Sequence, residues 1–165
     1  MLSVWCGANR FSHLEVTRFD QTLGALFGFK RMAGFRSVMR LLGRFDQARN
    51  EQVFSQLYRW LFEHLSVDRV TVDLDSSVIT RYGQAQEGAR RGYNPKKPGR
   101  ASHHPLMAFV ADTKMVANSW LRPGNSHSAN NACAFLASTQ AHLGSKRIGL
   151  LRADSGFCDQ AFIHN

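Results

Sequence analysis

A chain of 165 residues that is 44% hydrophobic carries enough apolar side chain for one core and reads as a folded domain rather than a disordered tail. No run of eighteen apolar residues occurs, and residues 1–11 lack both a basic leader and a long apolar stretch, so no membrane span is expected. Lys and Arg outnumber Asp and Glu by 21 to 12, a net charge of +9, which is the balance expected of a nucleic-acid partner.

Along the chain, residues 11–65 read as helices, with apolar positions three and four apart at Leu23, Leu26 and Phe27 and again at Val38, Leu41 and Leu42. The clearest helix runs from about Ala48 to Leu65; Asp46 caps it, and Val53, Leu57, Trp60, Leu61 and His64 form its apolar stripe. After Ser66 the period changes to two. Residues 69–75 alternate strictly and are rich in β-branched side chains, which predicts a strand. Residues 81–100 are rich in Gly, Pro and Arg and predict a loop or an extended hairpin arm. Two further strands, 106–111 and 115–121, are joined by a turn at 112–114 and should pair antiparallel.

Ser126 or Ser128 is placed to cap a helix that carries Ala132, Phe135, Leu136 and Leu143 and stops at Gly144. Residues 147–152 then predict a buried strand ending at Asp154, and residues 158–165 the first turns of another helix. The cysteines Cys6, Cys133 and Cys158 form neither a C-x-x-C pair nor an even set, so each is expected to be a small buried residue in a reducing cytoplasm. The order of elements matches an α/β fold: a helical N-terminal segment, residues 1–66, precedes the first half of a ribonuclease H-like mixed sheet, residues 67–165. That architecture demands that the fourth strand lie parallel to the first.

Such pairing would bring Asp154 close to Asp75. Unit charges about 4 Å apart repel by roughly 4 kcal/mol at an effective dielectric near 20, so two carboxylates so placed call for a cation. Mg²⁺ or Mn²⁺ fits, because these ions take oxygen ligands and keep several waters. Asp73 shares the strand face of Asp75, and alternation alone does not separate the two.

Four segments carry a resemblance: residues 72–77 (VDLDSS), 91–100 (RGYNPKKPGR), 121–125 (LRPGN) and 152–157 (RADSGF). In this order they resemble segments of bacterial DDE insertion-sequence transposases, with a weaker helical likeness upstream. The resemblance implies Asp75 as the first catalytic acid, with Asp73 as the alternative, and Asp154 as the second, together holding Mg²⁺ or Mn²⁺. It implies double-stranded DNA as partner, both the inverted-repeat ends and the target, and a homodimer in the intact family member. A cytoplasmic, nucleoid-associated location follows from the same likeness. The family's third acid, a Glu within a pattern of Tyr, Arg, Glu and Lys, matches none of Glu15, Glu51, Glu63 and Glu87. The chain is therefore expected to be an N-terminal portion whose incomplete core leaves the fourth strand open, and which does not complete strand transfer alone.

The arm offers a second signal, since Arg81, Arg90, Arg91, Lys96, Lys97 and Arg100 are opposed only by Glu87, with Tyr82 and Tyr93 interleaved. That composition suits a phosphate backbone, and Tyr93 joins the six cations as a candidate DNA contact. Arg31, Arg36, Arg40, Arg44 and Arg49 upstream suit either DNA ends or a solvated helix face. His103, His104 and His127 lack zinc-like spacing and read as structural, and Ser155-Gly156 lacks the preceding Gly of a nucleophile turn. Two rival readings are a non-catalytic DNA-binding remnant that inhibits transposition and a ribonuclease H-like nuclease completed by another chain.

Overall fold

The alternation of residues 69–75 is carried directly into strand β1, Arg69–Ser76, where Val70, Val72 and Leu74 are buried on one face while Asp73 and Asp75 turn to the other. The computed structural model describes residues 2–83, 86–158 and 162. Helices α1 (Leu2–Trp5), α2 (Leu14–Arg18), α3 (Gln21–Leu26), α4 (Phe35–Leu42) and α5 (Gln47–Glu63) come first. The chain divides into compact units at 1–53 and 54–165.

In the second unit, β1 pairs antiparallel with β5 (Leu106–Val110), and β5 pairs antiparallel with β6 (Met115–Trp120). After α6 (Ala132–Leu143) the chain returns as β7 (Arg147–Ala153), which pairs parallel with β1, so the order is β6-β5-β1-β7. The parallel pairing demanded by the sequence is present, and the sheet is the mixed α/β sheet of a ribonuclease H-like fold.

The core lies on the face that carries Val72 and Leu74. Phe135 and Leu143 of α6, Leu106, Ala108 and Val110 of β5, and Phe62 of α5 fill it. Burying a side chain such as Phe62 or Phe135 contributes about 1.5–3 kcal/mol. Asn118 is buried within this seam, where its Nδ2 donates to Ser138 and Thr139 on α6, both at 3.2 Å. The polar group is thereby satisfied where an unpaired one would be costly.

Several sequence expectations are corrected. Asp46 does cap α5, accepting from the Arg49 N–H at 2.8 Å. However, the stripe through Val53, Leu57, Trp60 and His64 is exposed, and the helix buries Phe62 with Tyr58 and Leu65 beside it. Both stripes have helical spacing; the buried one carries Tyr58 and Phe62, and Tyr58 stacks on His142 of α6 at 4.8 Å. Neither Ser126 nor Ser128 caps α6. Its N-cap is Asn131 in the left-handed region, with no side-chain cap bond. Gly144 does end the helix, at φ +64°.

Strand β7 is not buried: it is the sheet edge, and Leu150 is 54% exposed. A bulge at Gly149 explains which residues turn inward. Val70 faces Ile148 but Thr71 faces Leu150, so Gly149 is the extra residue. Ile148 and Leu151 consequently both pack toward the core, which strict alternation forbids for residues three apart. Cys6 and Cys158 are exposed and Cys133 is half-buried, so none is the core residue expected; Cys6 and Cys158 stand just past one-turn helical segments, outside any apolar stripe. The helix expected after Cys158 lies, apart from Phe162, outside the described residues.

In the first unit, Asp20 caps α3 by accepting from the Leu23 N–H at 2.9 Å. The start of α4 has Gly34 at its cap, and the missing side chain is replaced by Glu15, which accepts from the Phe35 N–H at 2.8 Å. That bond, with the Arg18 guanidinium, holds the Glu15 carboxyl below the ordinary carboxylate range.

Candidate active site

Strand β7 and strand β1 run in the same direction, so their C-terminal ends lie side by side. The last pairs are Asp73 with Arg152 and Leu74 with Ala153. Asp75 and Asp154 are the next residues along, and alternation puts each on the face already occupied by Asp73 and Arg152. Asp154 has extended backbone and turns the chain into a short helical segment, Ser155–Phe157, by accepting from the Gly156 N–H at 2.9 Å.

The two candidates for the first acid sit in different environments. Asp73 is bound by Arg152 through both carboxylate oxygens, at 2.5 Å from Nε and 2.7 Å from Nη2. These bonds, together with the charges of Arg152 and Lys114, hold its carboxyl below the ordinary range. Asp75 is exposed, and among the described residues no donor bonds its carboxylate. Its lone pairs are open to a ligand where those of Asp73 are occupied.

As a donor set, two carboxylates supply the hard oxygens that Mg²⁺ or Mn²⁺ takes, with waters completing the shell. Among the described residues no three His, Cys, Asp or Glu side chains gather as a metal site. Glu87, at the arm, is exposed.

Behind the acids lies a partly buried polar network that the sequence reading did not find. Ser76, next to Asp75, has its Oγ 2.8 Å from Ser128 Oγ and 3.2 Å from His104 Nε2, and His104 Nδ1 is 2.7 Å from the Ser126 carbonyl. Arg122 is buried beside it and donates to the carbonyls of His104, His127, Ser128 and Asn130. Burial pushes the Arg122 guanidinium below its ordinary pKa, and those carbonyls offset the lost hydration. The serines that look like helix caps in the sequence are thus the loop's attachment to β1. Only their hydroxyl chemistry was visible.

The arm is an ordered three-stranded sheet. β2 (Ile79–Thr80) and β3 (Arg90–Arg91) both pair antiparallel with β4 (Ala101–His103). It leaves the main sheet at the acid-bearing end, because β2 follows Ser76 closely and β4 precedes Leu106, the partner of Ser76. Asn94 is buried, donates to Thr80 Oγ1 at 2.9 Å and accepts from the Lys97 N–H at 3.0 Å, which fixes the turn that holds Lys96 and Lys97 outward. Arg90, Arg91, Lys96, Lys97 and Arg100 are exposed, as are Tyr82 and Tyr93. Arg81 is the exception: it is half-buried, and its Nε is enclosed.

Two motif glycines meet where the arm touches the loop after β6. A Cβ on Gly92 would lie 2.0 Å from the Gly124 carbonyl oxygen, and one on Gly124 would lie 2.5 Å from the Arg90 carbonyl oxygen. Backbone packs on backbone there, and only hydrogen fits.

The model of the family described as transposase DDE domain group 1 matches residues 1–165. No curated protein and no solved structure matches the chain.

Proposed function

The chain belongs to the group 1 DDE transposase family, whose function is DNA transposition, and from that membership we propose that Asp75 and Asp154 are its first two catalytic acids. The observation that carries this reading is their position one step past the last β1–β7 pair, with Asp73 already neutralised by Arg152. Asp75 and Asp154 would hold Mg²⁺ or Mn²⁺. When bound, that ion supplies the positive charge that phosphodiester cleavage and strand transfer need.

The chain's own residues do the rest. Arg90, Arg91, Lys96, Lys97 and Arg100 hold the DNA backbone at the end of the sheet where the acids stand, and Tyr82 and Tyr93 pack against it. Arg81, half-buried, contributes at the root of the arm. The exposed Arg31, Arg36, Arg40, Arg44 and Arg49 suit residues 1–66 to the inverted-repeat ends, with two chains bringing the paired ends together. Among the described residues no helix is long and apolar enough to cross a membrane.

Two measurements test the reading. The first is Mn²⁺-dependent nicking of duplex carrying the element's ends, which EDTA should abolish; DNA binding without any metal-dependent nicking would favour a binding-only role. The second is the salt dependence of DNA affinity. If the six arm cations meet phosphates, affinity falls about a thousandfold between 50 and 200 mM salt. Lys96→Ala with Lys97→Ala should flatten the slope of log affinity against log salt by about 2, equally for all duplex sequences. An unchanged slope would remove these lysines from the interface.

A further inference from the structure

The network behind the acids joins side chains of three segments, which the β1–β5 pairing and the Arg122 bonds also hold. His104 lies between β4 and β5, Ser76 ends β1, and Ser128 belongs to the loop before α6. A carbonyl oxygen only accepts, so the 2.7 Å contact to Ser126 requires the His104 proton on Nδ1. In the neutral ring Nε2 is then an acceptor, and the Ser76 hydroxyl donates to it at 3.2 Å. Having given its proton to His104, Ser76 accepts from Ser128 at 2.8 Å. Each hydroxyl in the chain has one direction.

Ser128 also abuts the second acid's turn. A Cβ added at Gly156 would lie 3.3 Å from Ser128 Oγ and 3.0 Å from Asp154 Oδ1. Ser76 lies on the face that carries Leu74, and its neighbour Asp75 on the opposite face, the one that alternation also gives Asp154. We propose that His104, acting through Ser76 and Ser128, is a positioning residue that holds the ends of β1 and β7 so that Asp75 and Asp154 bind one divalent cation together. This rests on the two-acid reading above.

The test is Mn²⁺ affinity of the full chain, measured by calorimetry or by loss of the free-ion electron-spin signal. Two variants divide the functions of His104. His104→Asn keeps a donor near the Nδ1 position for Ser126 but loses Ser76, whereas His104→Gln keeps an acceptor near the Nε2 position for Ser76 but loses Ser126. The proposal expects about a tenfold loss of Mn²⁺ affinity in His104→Asn and an affinity close to that of the unmodified chain in His104→Gln. Melting temperature and DNA affinity in EDTA should move little in either. The reverse pattern, with His104→Gln weak and His104→Asn normal, shows that His104 serves only the loop and overturns the proposal. So do two normal variants.

If His104→Asn fails to fold, Ser76→Ala removes the same link and should show the same tenfold loss; normal binding there is equally fatal. Mn²⁺ binding that is absent in the unmodified chain, or indifferent to Asp75→Asn, overturns the two-acid reading itself. Binding that depends on Asp75 but not on Ser76 or His104 overturns only the positioning role.

Discussion

Asp75→Asn is expected to weaken Mn²⁺ binding at least about a hundredfold, while Asp73→Asn leaves it within about threefold, each factor of ten corresponding to 1.4 kcal/mol. The two residues have the same side chain, two positions apart on one strand face, so the contrast isolates environment. Asp73 already spends both oxygens on Arg152, and recruiting it to a metal would require breaking that bidentate pair. Asp75 is exposed with no donor to lose among the described residues. Removing one of two anionic ligands from a divalent ion removes several kcal/mol of attraction. Asp154→Asn should match Asp75→Asn, and its interpretation is clean, because Asn caps as well as Asp and still accepts from the Gly156 N–H. Any metal-dependent nicking should disappear in both. If Asp73→Asn abolishes binding and Asp75→Asn does not, the assignment of the first acid is reversed.

Gly124→Ala is expected to lower stability by about 3 kcal/mol, or roughly 6–12 °C in the melting midpoint, and to free the arm's amide protons for exchange. The added methyl group would sit 2.2 Å from Ser102 Oγ, 2.5 Å from the Arg90 carbonyl oxygen and 2.6 Å from the Ser102 carbonyl oxygen. Two of these are backbone atoms in paired strands, which cannot rotate aside. Gly92→Ala meets the Gly124 carbonyl from the other direction and should behave alike. Gly99→Ala is the control: it stands at φ +77° with nothing near its Cβ among the described residues, so it bears only the conformational cost of about 1–2 kcal/mol. A Gly124→Ala chain as stable as the original would mean that the arm and the loop do not touch in solution.

The sheet was legible from the sequence because its signals are local. Alternation fixed β1, a short turn joined β5 to β6, and the demand for a parallel fourth strand followed from element order. The strand ends that carry Asp75 and Asp154 were legible for the same reason. What escaped depends on contacts between distant residues. Val53, Leu57 and Trp60 and the pair Tyr58 and Phe62 both have helical spacing, and nothing within α5 says which stripe the sheet will cover. Ser126 and Ser128 have the chemistry of caps, and only the proximity of Ser76 and His104 shows another use. Gly92 and Gly124 are far apart in sequence, and each alone looks like a turn residue.

The bulge at Gly149 makes β7 tolerant of shortening and intolerant of lengthening. Laid flat without the bulge, the strand would carry Arg152 and Asp154 round to the core side. Removing Gly149, or Leu150 in its place, would use up the slack and leave Leu151 inward and Asp154 outward. Inserting one residue between 150 and 154 would instead require a second bulge, or would reverse the aspartate's face. Single-residue length changes in this strand therefore act in opposite ways according to their sign. Among relatives of this chain, the interval from Ile148 to the second aspartate should vary by losing a residue, or by gaining residues in pairs, while a gain of one should be rare.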